Sequence, residues 1–272
     1  MKPISELSLE AAAHIDSVFC DIDDTLTTDG RLPAVAYDSL WRLYDAGFNV
    51  VPVTGRPAGW CDMIARFWPV AGVIGENGAF YFRYDREKRR LEQRFTLDAA
   101  ERADLQHRLQ AIRQRILTEV PGSAVASDQP YRIHDLAIDF CEDVPRLPEA
   151  AIDRIVDIFR AEGATAKVSS IHVNGWFGTY TKLEMIRTFA HEVLQFSLTK
   201  DAAEQQRCCY VGDSPNDEPA FYFFENSIGV ANVADLITRF QCPPAFVTPS
   251  RGGRGFAEVA ETLLKARTRT KF

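Results

Sequence analysis

Three acidic residues in four positions, Asp21, Asp23 and Asp24, follow the apolar run Val18-Phe19-Cys20 in the segment SVFCDIDDTLTTDG. Carboxylates this close repel one another and resist ionisation. A strand that ends in so much negative charge either opens to solvent, where Asp merely shapes turns, or meets something positive. In an extended segment residues i and i+2 point the same way, so Asp21 and Asp23 can face one ligand. Two further places have the same character. NVVPVTG closes an apolar run on Thr54 and Gly55, with Arg56 next, and RCCYVGDSPND closes another on Asp213, with Asn216 and Asp217 behind it. Ligands of open α/β sheets sit beyond the carboxyl ends of the strands. Three such ends carrying carboxylates, a hydroxyl and glycines suit a hard divalent cation, and Mg²⁺ prefers a few carboxylate or carbonyl oxygens plus water and phosphate.

The elements that must hold these residues alternate. HIDSVFCDI reads as a strand, PAVAYDSLWRLYDAGF as a helix stopped at Gly47, NVVPVTG as a strand, GWCDMIARFWP as a helix stopped by Pro69, and VAGVIGENGAFYF as a strand region. That rhythm predicts βαβ units and a parallel sheet. The middle differs. RYDREKRRLEQRF suggests a hairpin, residues 98–119 a long amphipathic helix, YRIHDLAIDFCED a half-buried strand, LPEAAIDRIVDIFRAEG a helix and TAKVSSIHVNG one last strand. The α/β rhythm then resumes through KLEMIRTFAHEVL, RCCYVGD, PNDEPAFYFFE, SIGVAN and GFAEVAETLLKAR. The expected fold is α/β, a Rossmann-like parallel-sheet core (1–84 and 181–272) with an inserted α+β cap domain (85–180).

The 272 residues suffice for such a core, and 46% hydrophobic against 25% charged residues fits a globular chain. A net charge of −7 argues against nucleic acid as partner. No run of about 18 apolar residues reads as a membrane span, and the N-terminus shows no secretory h-region. The six cysteines form no C-x-x-C pair, and two of the runs that hold them are apolar, so reduced core thiols in a cytoplasmic protein are expected.

DIDDTL, VTGR, Lys182 and GDSPND occur in the order that marks the haloacid dehalogenase superfamily. With GENGAFYF leading into a hundred-residue insert, the chain resembles the subgroup with a large α/β cap between the second and third motifs, the Cof-like and sugar-phosphate phosphatase-like hydrolases. The resemblance implies that Asp21 is the nucleophile and that Asp23 protonates the leaving alcohol and then activates water. Thr54 and the N–H after it would hold phosphate oxygens, and Lys182 would neutralise nucleophile and phosphate. Mg²⁺ would be held by Asp21, Asp213 and the Asp23 carbonyl, with Asp217 binding the metal or positioning Lys182 and Asn216 supporting the loop. Asp24 stands where the family often has Gly, and the glycine that often follows the lysine is missing.

A small phosphorylated metabolite, most readily a sugar phosphate, is the expected substrate. Arg56 offers phosphate contact or an ion pair, and Asn77 stands at the outgoing hinge. His172, Asn174 and Trp176 lie where the cap returns to the core, with hydrogen-bonding groups and an aromatic face suited to a sugar. Lys167 falls inside the cap pattern and is a poor motif lysine. A phosphomutase or phosphotransferase would share Asp21 and Asp23. A silent binding module would have no use for a nucleophile, and a dehalogenase none for Asp23 or Mg²⁺.

Overall fold

The computed structural model describes residues 1–169, 171–199 and 203–269. Its main sheet has six parallel strands in the order Lys2–Pro3, Phe246–Val247, Ser227–Gly229, Cys208–Gly212, Ser17–Cys20 and Asn49–Pro52. Strand Ser17–Cys20 is buried along its whole length. Its side chains alternate between two apolar layers. Val18 and Cys20 join Val50, Cys209 and Val211 against Leu40, Leu43, Val259 and Leu263 on one face. Phe19 joins Val51, Cys208 and Tyr210 against Met185, Ile186, Phe189 and Phe221 on the other. Burial on both faces explains why these strands read as unbroken apolar runs.

A parallel bridge between Val53 and Ile74 carries the sheet on to Val73–Gly75. That strand opens an antiparallel meander with Phe80–Asp85 and Arg90–Phe95, the hairpin expected from the charged segment. Residues beyond it form a second layer: helices Ala99–Glu119 and Glu149–Ala161 lie on a four-stranded antiparallel sheet ordered Ala124–Val125, Leu136–Asp139, His172–Trp176, Thr165–Val168. The first of these helices starts on a capping box in which Asp98 and Glu101 satisfy each other's backbone N–H groups. This layer has its own apolar core, which includes Ile112, Ile116, Ile138, Ile155, Phe159 and Val173.

TAKVSSIHVNG, expected as one strand, forms two, Thr165–Val168 and His172–Trp176, paired antiparallel. Ser169 makes the reversal: its N–H donates to the His172 carbonyl at 2.8 Å, and its hydroxyl accepts the His172 N–H at 3.0 Å. A serine that bonds the backbone locally competes with the strand ladder. Along His172–Trp176, Val173 enters the apolar core of the cap layer, whereas His172, Asn174 and Trp176 take the opposite face, toward the parallel sheet. Among the described residues no helix is long and apolar enough to cross a membrane. None of the six cysteines is in a disulfide.

Candidate active site

The parallel strands Ser17–Cys20 and Cys208–Gly212 are neighbours, so the acids at their carboxyl ends meet. The Asp21 N–H donates to the Val211 carbonyl at 2.9 Å and continues the ladder into the site. Asp24 follows with φ +57°, in the left-handed region that Asp tolerates better than most residues. It takes the place where the family often has Gly, and its carbonyl accepts from the Asn232 amide at 2.9 Å.

Asp21, Asp213 and Asp217 are all buried, and each offers an oxygen within 4.8 Å of the others. Lys182, the first residue of the helix Lys182–Glu192, lies among them. Its Nζ donates to Asp21 Oδ1 at 3.1 Å and Asp217 Oδ1 at 3.0 Å. Burial pulls the ammonium toward deprotonation, but the two aspartates outweigh it and hold its pKa above the usual lysine value. Burial raises the Asp21 carboxyl well above its ordinary value, with Lys182 opposing and Asp217 and Asp23 adding. Asp213 is raised by burial and then by Asp217 and Asp21, while the Thr25 hydroxyl, donating at 3.0 Å, lowers it.

Asp217 differs from its neighbours. Its Oδ1 accepts from the Tyr210 hydroxyl at 2.6 Å and from Lys182, and its Oδ2 accepts the backbone N–H groups of Asp213 at 3.1 Å and Ser214 at 3.3 Å. A Cβ on Gly212 would come within 2.6 Å of that carboxylate, so only glycine lets it sit against the strand end. With both oxygens used, Asp217 fits the role of positioning Lys182 better than that of a metal ligand. Three buried carboxylates facing one ammonium leave negative charge uncompensated, and a hard divalent cation on the carboxylate oxygens of Asp21 and Asp213 fits that donor set.

Thr54 and Gly55 follow the third strand. Thr54 is fully buried, and its Oγ1 accepts the Arg56 N–H at 3.0 Å. Arg56 grips Asp23 through Nε at 3.0 Å and Nη2 at 2.9 Å. The same guanidinium reaches across to the inserted layer, where Nη2 lies 2.9 Å from Glu142 Oε1 and Nη1 3.5 Å from Asp128. His172 Nε2 stands 2.9 Å from the other Glu142 oxygen. A second arginine, Arg132, pairs with Asp128 at 2.9 Å and Asp135 at 3.0 Å and donates to the Gly55 carbonyl at 2.8 Å. Asn174 donates to Asp135 at 3.0 Å.

Glu76, from the GENG segment, is fully buried and ties the two layers together. Its carboxylate accepts the N–H groups of Ala58 at 3.0 Å, Ile133 at 2.9 Å, His134 at 2.6 Å and Asp135 at 3.1 Å. The chain leaves the core at Gly78 (φ +103°) and returns at Thr181, and a Cβ on Gly78 would lie 2.2 Å from the Thr181 carbonyl oxygen.

A cleft of about 350 Å³ lies between the layers and gathers Asp21, Asp23, Gly55, Arg56, His172, Asn174 and Asn216 from the sequence expectations. Lys182, Asn77 and Trp176 border a neighbouring hollow that shares Asn216. Trp176 stacks on Tyr180, with centroids 5.7 Å apart, so one face of its ring is already taken. Sequence reasoning missed Glu142, Arg132, Asp128, Asp135 and the pinning role of Glu76. The available signal was YRIHDLAIDFCED, in which Arg132 and Asp135 are buried where the alternation suggested water.

Residues 18–125 match the family of haloacid dehalogenase-like hydrolases. No curated protein sequence matches the chain. Thermoplasma acidophilum protein 0175 has the same fold at TM-score 0.69 and 16% identity, covering 92% of this chain and 98% of that one. The sucrose-phosphatase of Synechocystis sp. PCC6803, solved with sucrose and phosphate, aligns at TM-score 0.62 and 15% identity over 91% and 97%. BT1666 from Bacteroides thetaiotaomicron, described among phosphatases of the haloalkanoate (HAD) enzyme superfamily, aligns at TM-score 0.59 and 17% identity over 92% of this chain and 96% of that one. Residues 18–125 are thus similar in sequence to haloacid dehalogenase-like hydrolases, and the fold of nearly the whole chain is shared with these solved structures.

Proposed function

We propose that the protein is a Mg²⁺-dependent phosphatase of a small phosphorylated metabolite, acting through an aspartyl-phosphate on Asp21. The observation that carries this is the convergence of Asp21, Asp213, Asp217 and Lys182 at the strand ends, beneath a polar face of the inserted layer. The sucrose-phosphatase likeness favours a sugar phosphate. Residues 85–180 act as the lid on a core of 1–84 and 181–272, a reading favoured by their separate apolar core. The thiols, none of them in a disulfide and most of them buried, favour the cytoplasm.

In the proposed reaction an Asp21 oxygen attacks phosphorus as the ester P–O bond breaks. Asp23 gives its proton to the departing alkoxide, and the fork from Arg56 sets where Asp23 points. Asp23 then takes a proton from water, whose oxygen attacks the aspartyl-phosphate, releasing inorganic phosphate and restoring Asp21. Lys182 supplies positive charge as the phosphoryl oxygens gain charge, and a divalent cation held by Asp21 and Asp213 would add to it. The Gly55 turn, which lines the cleft beside Asp21 and Asp23, would border the phosphate.

The test is phosphate release with Mg²⁺ from a panel of phosphorylated sugars, sugar acids, nucleotides and an aryl phosphate, for wild type beside Asp21→Asn. Turnover by wild type, lost by about 10³-fold or more in a folded Asp21→Asn protein, is expected. A fully active Asp21→Asn protein would remove the nucleophile assignment.

A further inference from the structure

The hollow beside Lys182 differs in charge from the cleft over Asp21. It spans about 450 Å³, part of it open to solvent, and is bordered by Asn77, Lys167, Trp176, Thr181, Lys182 and Asn216, with no acidic residue on its wall. Lys167 pairs across the cap sheet with Asn174, so both side chains leave the sheet on the face turned toward the core. Lys167 is exposed at the mouth of this hollow, and no carboxylate lines it. Trp176 Nε1 and Asn77 Nδ2 are buried, and among the described residues neither has a hydrogen-bond partner. Trp176 is 2% exposed and Asn77 6%.

Buried donors left without acceptors are rare and costly in folded proteins, and each calls for a partner. An indole N–H donates only, and an ammonium donates only. A wall of an indole N–H, an amide NH₂ and an exposed ammonium, free of acids, selects a ligand group that accepts and carries negative charge. A sugar hydroxyl would accept from the two buried N–H groups as a neutral acceptor, whereas an anionic group also gains a charge-assisted bond from the exposed Lys167 ammonium. The hollow shares Asn216 with the cleft that holds Asp21 and Asp23. Both lie under one five-residue strand, with His172 at one end, Asn174 in the middle and Trp176 at the other end, four steps or about 13 Å from His172.

We propose that this hollow, built by Lys167, Trp176 and Asn77, binds a second anionic group on the leaving portion of the substrate. The substrate is then a phosphate ester of an acid, a carboxylate or a further phosphoryl group standing a few bonds from the ester oxygen. This inference rests on the phosphatase reading and deepens it. Lys167 stands outside the reacting atoms and acts on specificity alone.

The test uses the full-length protein with Mg²⁺ and matched pairs of esters: 3-phosphoglycerate against glycerol 3-phosphate, 6-phosphogluconate against glucose 6-phosphate, and fructose 1,6-bisphosphate against fructose 6-phosphate. An aryl phosphate serves as reference. Wild type is expected to favour at least one charged member by about tenfold or more in kcat/KM, the scale of a charge-assisted hydrogen bond. Lys167→Gln should erase that preference and leave aryl phosphate turnover unchanged, since Lys167 is on the surface and its loss leaves the fold intact. Trp176→Phe keeps the ring on Tyr180 and deletes the N–H, and should weaken the charged ester selectively. Aryl phosphate turnover with equal rates for every pair, unmoved by Lys167→Gln, overturns the inference while the phosphatase reading stands. Silence toward all compounds, the aryl phosphate included, overturns that reading and this inference with it. The carboxylate and bisphosphate pairs tell apart the two sources of negative charge.

Discussion

Glu142→Gln isolates the contact between the inserted layer and Arg56, the partner of the proposed acid–base residue Asp23. Glu142 accepts from Arg56 at 2.9 Å, and its other oxygen faces His172 Nε2 at 2.9 Å. The His172 imidazole and the Arg56 guanidinium, against a smaller opposing effect of burial, hold its carboxyl at about 2, below the ordinary 4.5. At 1.36 kcal/mol per pH unit this corresponds to a ceiling of about 3 kcal/mol. The side chain is 29% exposed, and screening at such a rim takes about half, leaving about 1–2 kcal/mol. For 272 residues the entropy of unfolding converts this to a Tm lower by about 2–4 °C. The sign follows from a folded-state pKa below the unfolded one. The stabilisation is fully present above about pH 4.5 and is lost as pH falls toward 2. Thermal unfolding of wild type and Glu142→Gln from pH 3 to 7 should therefore show a gap that is widest above pH 5 and narrows below it. Hydrogen exchange at pH 7 should rise across residues 133–142 in the variant, because Arg56 then holds only Asp23 and Asp128. A gap that stays constant from pH 3 to 7, or no gap at neutral pH, would refute the claim that this ion pair holds the lid down.

The metal-free site keeps three carboxylates near one ammonium, so Mg²⁺ should raise Tm in calorimetry, by about 5 °C at a hundredfold excess over Kd. Asp213→Asn should be as stable as wild type or more so without metal and lose that response; an undiminished Mg²⁺ shift in Asp213→Asn would place the cation elsewhere. Glu76→Ala strands four buried N–H groups, and breaking such a buried charged hub should cost about 3–5 kcal/mol, a Tm fall of about 5–9 °C. Limited proteolysis should then cut near residues 126–135; a protein that resists cutting there would show that Glu76 does not pin that loop.

The core was legible because its physics is periodic and local. Apolar runs buried on both faces announced parallel strands, and acids at the ends of two of them announced the cluster that Ser17–Cys20 and Cys208–Gly212 bring together. Lys182 was placed by order along the chain, and the structure puts it 3.1 Å from Asp21. The lid was less legible. Its polar positions carry the same alternation as a solvated sheet face, and only the tertiary arrangement shows that Asp135 and Asn174 turn to a buried interface. Glu142 reads as a surface acid, because its partner Arg56 lies 86 residues away. Glu76 gave no sign of its hub role, since all of its acceptor work is done on backbone N–H groups, which carry no side-chain signal.

The two arginines explain how the layers are kept in register over the proposed site. An apolar interface would close the layers firmly and without preference for one sliding position. A buried ion pair adds little net stability, because desolvation offsets most of its attraction, but it is strict about geometry. Arg132 is fixed on both sides by Asp128 and Asp135 and reports the position of the lid to the Gly55 carbonyl. Arg56 does the converse from the core, holding Asp23 on one side and the lid acids Glu142 and Asp128 on the other. Displacing the lid removes two acceptors from Arg56 at once and leaves its fork on Asp23 alone. The residue assigned to move the proton is thereby tied to whether the lid is seated, through one guanidinium and without any change in the parallel sheet beneath.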